Sequence, residues 1–107
     1  MVGMHAAAVR FDLHIPGARS LKAKRAVLRP IVDTIRHRFR LSVAEVDHHD
    51  RWQRAAIGVA IVADSARRLD ELVESVERFV MHAPDVELVD VARSELLDDG
   101  AATLESW

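Results

Sequence analysis

At 107 residues, with a formal net charge of −2, 50% hydrophobic and 30% charged residues, the chain has the composition of one globular domain and no room for a second core. Having no cysteine excludes a disulfide scaffold, a thiolate zinc site and a cysteine nucleophile. The opening Met1-Val2-Gly3-Met4-His5 holds neither a charged leader nor a long apolar run, so a cytoplasmic protein with no membrane partner is expected.

In chain order, His5 to Ile15 alternates. Val9, Phe11, Leu13 and Ile15 point one way and Arg10, Asp12 and His14 the other, which predicts a strand with one buried face. Pro16-Gly17 is a turn, and Ser20 is a good N-cap for a helix from about Leu21 to Phe39. Leu21, Leu28, Ile31, Val32, Ile35 and Phe39 form that helix's apolar stripe. Leu41 to Asp47 predicts a second strand. The third, about Arg54 to Ala63, has a near-continuous apolar run that suits a central position. Its outward residues Ala56, Gly58 and Ala60 are small and permit close approach by a ligand or second subunit. Asp64 or Ser65 caps a second helix, about Ala66 to Met81, and Val86 to Val91 predicts a fourth strand reaching toward Leu97. Asp98 to Trp107 has the composition of a flexible tail.

The order β-α-β-β-α-β over residues 1–97 predicts a single ferredoxin-like α+β sandwich. Two helices would cover one face of a four-stranded antiparallel sheet and leave the other open. Such a fold hosts many functions and licenses none.

Charge is segregated. Arg19 to Arg40 holds eight basic residues and one acid, a local charge of +7 that leaves −9 on the rest. Lys22, Arg25, Arg29 and Arg36 recur at helical spacing, and with Lys24 they are the candidate phosphate contacts. The competing reading is a solvated face neutralised by the acidic side of the second helix. The open sheet face is a poor base-stacking platform, because Arg10, Asp12, His14, Ala56, Gly58 and Ala60 include no aromatic.

The second and third strands are joined by the polar run His48-His49-Asp50-Arg51-Trp52-Gln53. Asp47 and Asp50 can cap turn amides there. His48, Asp50, Trp52 and Gln53 are the candidate partner contacts, because a tryptophan beside an arginine is typical of interface anchors. No metal is expected, since neighbours on an extended chain point to opposite sides. Asp12 and His14 could meet Asp47 or His48 only in the right register. Without a phosphate loop, nucleophile elbow or dinucleotide fingerprint, neither catalysis nor a cofactor is expected.

Taken together, IPGARSLKAKR (Ile15 to Arg25), RFRLSVAEVD (Arg38 to Asp47) and WQRAAIGVA (Trp52 to Ala60) resemble the YlxP family, a small bacterial family of unknown function. The resemblance covers roughly the first ninety residues, implies the same fold and carries over no catalytic residue. The company its genes keep, in operons of transcription and translation factors, implies a role near RNA or the ribosome. The chain departs from the family at Ala23, where relatives carry a glutamate that completes a capping box with Ser20, and at His49, where they carry glutamine.

The expectation is therefore a non-enzymatic accessory protein that contacts ribosomal RNA or the small ribosomal subunit. Its alternative is a homodimeric interaction module that uses the open sheet face.

Overall fold

The strict alternation of the first strand produces the organising element of the sheet. The computed structural model describes residues 3–96, and β1 spans His5–His14 within it. Phe11 and Leu13 are fully buried, and Ile15 follows them into the core. The helix α1 (Leu21–His37) begins where Ser20 Oγ accepts from the Ala23 amide at 3.0 Å. Then come β2 (Ser42–Asp47), β3 (Arg54–Ala63), α2 (Ala66–Met81) and β4 (Glu87–Leu96). Ser65 rather than Asp64 caps α2, by accepting from the Arg68 amide. The flexible tail expected at Asp98 to Trp107 lies outside the described residues.

The strands run antiparallel in the order β2-β3-β1-β4, which with two helices makes the ferredoxin-like sandwich. β3 is central, as its continuous apolar run requires. Leu28, Ile31 and Ile35 of α1 and Leu69, Val73, Val76 and Val80 of α2 pack against Val9, Phe11, Ile57, Val59 and Ile61 of the sheet. Phe39 meets Phe79 at 5.6 Å between ring centres, closing the gap beyond the end of α1. β4 is longer than its apolar residues suggest, because β1 supplies ladder partners up to Ala6 opposite Leu96.

Two bulges shape the sheet at one end. One lies in β2 between Glu45 and Asp47. The other sets Asp12 opposite Asp90 but Leu13 opposite Leu88, so that Val89 is the extra residue. A bulge re-aims the side chains beyond it. Asp47, which simple alternation sends toward the helices, is thereby turned onto the open face opposite Ala56.

Candidate functional site

Lys22, Arg25, Arg29 and Arg36 lie on the exposed side of α1. Among the described residues, Lys22, Arg25 and Arg29 form no ion pair. Arg36 donates to the Val43 carbonyl at 3.2 Å and sits 3.9 Å from Asp33. Two acids of α2 find partners elsewhere: Glu71 meets Arg67 and Arg68, and Asp70 meets Arg93 of β4. No ion pair between described residues joins the two helices.

Lys24 does not belong to this stripe. It is 1% exposed, on the core side of α1 in line with Leu28, Ile31 and Ile35, so it has no access to a phosphate. Its ammonium donates to the carbonyls of His48 (2.8 Å), His49 (3.4 Å) and Arg54 (3.3 Å). Glu45 Oε2, itself buried, lies 3.1 Å away. A buried ammonium is tolerable only with such saturation, since its desolvation must be offset by both hydrogen bonds and an opposite charge. The spacing 24-28-31-35 was the available signal in the sequence, masked by the basic residues on either side.

Lys24 therefore fixes the connection between β2 and β3 against the first turn of α1. His48 adopts φ 62°, and its carbonyl also accepts from the Arg51 amide at 3.0 Å, closing the turn. The Ile15 amide donates to the Gln53 carbonyl at 2.9 Å. Gln53 Nε2 donates to the carbonyls of Pro16 and Ala18, both at 3.2 Å. Gln53 Nε2 is thus engaged with its own chain, while the residue itself is exposed. His48 also departs from its expected role, because its ring turns toward the sheet. Asp50 and Trp52 remain at the tip, with Trp52 54% exposed.

The register that the sequence left open brings β1 and the hairpin together on the open face. Arg10 donates to both carboxylate oxygens of Asp12, at 3.0 and 3.1 Å, and to Asp47 Oδ2 at 3.2 Å. His48 Nε2 lies 3.6 Å from Asp12 Oδ1, and the His48 amide donates to Asp47 Oδ1 at 2.7 Å. The hydrogen bond from Arg10 holds the Asp12 carboxyl below the ordinary carboxylate range. For Asp47 the backbone amide of His48 is the larger cause and Arg10 the second. Arg10 is correspondingly harder to deprotonate, chiefly through Asp12. This polar layer bridges β1 and β2 across Ala56, whose exposure falls to 0%. His14 Nδ1 lies 3.3 Å from Glu87 Oε2 beside it.

Chemically the cluster is a set of charges holding one another. Among the described residues no hydroxyl bonds to His48, and no three His, Asp or Glu side chains converge as a metal would need. The other end of the open face is apolar. A shallow trough of about 330 Å³ runs beside Gly58, with Ala8, Val46, Ala92 and Ser94 along it and Arg10 and Arg93 also lining it. No helix among the described residues is long and apolar enough to cross a membrane.

Several known proteins are similar to this chain. One is the uncharacterized protein YlxP of Bacillus subtilis (strain 168), 36% identical over 70 residues that make up 65% of this chain and 76% of that protein. The de novo designed protein Foldit4 superposes with a TM-score of 0.51 at 14% identity, over 88% of this chain and 97% of the design. Rv0793 from Mycobacterium tuberculosis gives a TM-score of 0.46 at 22% identity, over 92% of this chain and 98% of that one. Residues 6–93 match the family described as "Protein of unknown function (DUF503)". With its two helices, its antiparallel sheet and this match across most of its length, the chain belongs to that YlxP-like family of unknown function.

Proposed function

We propose that this protein is a non-enzymatic accessory of ribosome assembly or translation that binds ribosomal RNA along the exposed side of α1. The observation that carries the reading is that Lys22, Arg25 and Arg29 stand exposed with no ion pair among the described residues, and that no ion pair among them joins α1 to α2. Cations without protein partners along one helix face match successive phosphates at little cost in broken contacts. Lys24 holds the Trp52 turn against the same helix and Gln53 holds it against the loop before that helix, so a base stacking on Trp52 pays little ordering entropy. Arg10, Asp12 and Asp47 are occupied with one another, which argues against their serving as acid, base or anion clamp. The ribosomal part of the reading rests on the family resemblance.

Co-sedimentation of the tagged protein with ribosomal particles from a lysate, at low and moderate salt, tests it. The wild type is expected with the small subunit or a precursor, and Arg25→Glu with Arg29→Glu is expected at the top of the gradient. On isolated RNA, loss of two phosphate contacts should lower the slope of log affinity against log salt by about 2. Full affinity in the folded double variant would sink the reading.

A further inference from the structure

We infer, resting on the RNA reading above, that the RNA met by α1 is single-stranded and is gripped where the β2–β3 connection meets the first turn of that helix. One unpaired base stacks on Trp52, and the flanking phosphates lie on Arg51, Lys22 and Arg25. Trp52 is the one exposed Phe or Trp among the described residues, so stacking on a phenyl or indole ring is available there alone. In a closed duplex each base already stacks on its neighbours and presents only its edges. A ring at the tip of a turn therefore finds a stacking partner only in an unpaired nucleotide.

The placement of the cations selects the same strand. Arg36 donates to the Val43 carbonyl at 3.2 Å, so the basic side of α1 overhangs β2, an edge strand of the sheet. The connection that carries Trp52 leaves from the end of that strand. Lys24 Nζ ties it to α1 through the carbonyls of His48 (2.8 Å) and Arg54 (3.3 Å), within one helical turn of Lys22 and Arg25. Ring and cations thus lie along one edge of the molecule, and the row from Lys22 to Arg29 extends it by about 10 Å at 1.5 Å per residue. Arg51, next to the ring in the chain, and Arg19, just before the helix, are also exposed, and neither forms an ion pair among the described residues. The acids nearby leave this edge positive. Asp50 is outnumbered by Arg51 and Arg54 within residues 48–54. Asp85 shares a depression with Ala23 and Val27, on the flank of α1 roughly 160° round the helix from Arg25.

Stacking tolerates any base, so oligo(U) serves as the probe, alone and annealed to oligo(A). In Trp107→Phe protein Trp52 is the single indole, and the single strand is expected to quench its emission and to bind about tenfold more tightly than the duplex. By anisotropy of labelled oligo(U), Trp52→Ala should lose about tenfold in affinity for the single strand and little for the duplex, and Trp52→Phe should keep most of it. Trp52 is 54% exposed, so both variants should keep the wild-type circular dichroism and urea midpoint. Equal affinity for the two RNAs, lost in Arg25→Glu with Arg29→Glu, overturns the single-strand inference and leaves the RNA reading standing. So does full affinity of folded Trp52→Ala for oligo(U). A wild type that binds neither RNA overturns both.

Discussion

Lys24 Nζ donates a 2.8 Å hydrogen bond to the carbonyl oxygen of His48, joining the first turn of α1 to the tip of the β2–β3 hairpin. The bond converts a polar turn into part of the scaffold. It also orients the peptide of a residue held at positive φ, a conformation that costs a non-glycine residue about 1 kcal/mol or more.

Lys24→Met should therefore destabilise the fold by about 3 kcal/mol, because it leaves the buried Glu45 Oε2 without its counter-charge and removes a donor from three carbonyls. Adding Glu45→Leu should restore part of the loss, since the orphaned carboxylate goes with it. Urea denaturation of the two variants measures both effects. A loss below about 0.5 kcal/mol in the single variant, the range of ordinary surface changes, would mean the ammonium is not the anchor.

Acid should loosen the hairpin from the sheet. Asp12 and Asp47 both titrate below the ordinary carboxylate value, so the native state binds fewer protons than the unfolded chain in that range. Their stabilisation is fully present above about pH 4, the usual aspartate value, and is lost as pH falls through the lowered native values. Urea midpoints measured from pH 5 downward should fall steeply for the wild type and less steeply for Asp12→Asn with Asp47→Asn. Equal slopes would show that the Arg10 contacts do not persist in solution.

Ala23→Glu should stabilise the start of α1. Ser20 Oγ already accepts from the residue 23 amide, and a glutamate there can reach back to the Ser20 amide to complete the reciprocal pair. The expected gain is a few tenths to about 1 kcal/mol, and Ser20→Ala should cost about 1 kcal/mol. If thermal midpoints show Ala23→Glu to be neutral on the Ser20→Ala background and stabilising on the wild type, the gain is cooperative with the cap.

Gly58→Ala tests the close approach of β2 to β3 on the open face. A Cβ at Gly58 would lie 3.0 Å from a Val46 methyl, so Val46 must give way. Val46 is on an edge strand and half exposed, so the expected cost is modest, below about 1.5 kcal/mol. Val46→Ala should reduce it in a double-mutant cycle, and an additive cycle would place the strain elsewhere.

The six elements, the buried faces of β1 and β3, the central place of β3 and the serine cap of α1 were legible in the chain. These are local or periodic properties, written in alternation, helical spacing and turn residues within a few positions of one another. It also marked Lys22, Arg25, Arg29 and Arg36 as one exposed row, because a helix fixes which side chains share a side. The burial of Lys24 required the folded chain, since it depends on carbonyls supplied by a hairpin more than twenty residues away. It alone tied Gln53 Nε2 to the carbonyls of Pro16 and Ala18, turned the His48 ring toward Asp12 and left Asp50 and Trp52 at the tip. The meeting of Arg10 and Asp12 with Asp47 also required it, because one extra residue in β2 reverses the face on which Asp47 lies, and strand periodicity carries no sign of where such a residue falls.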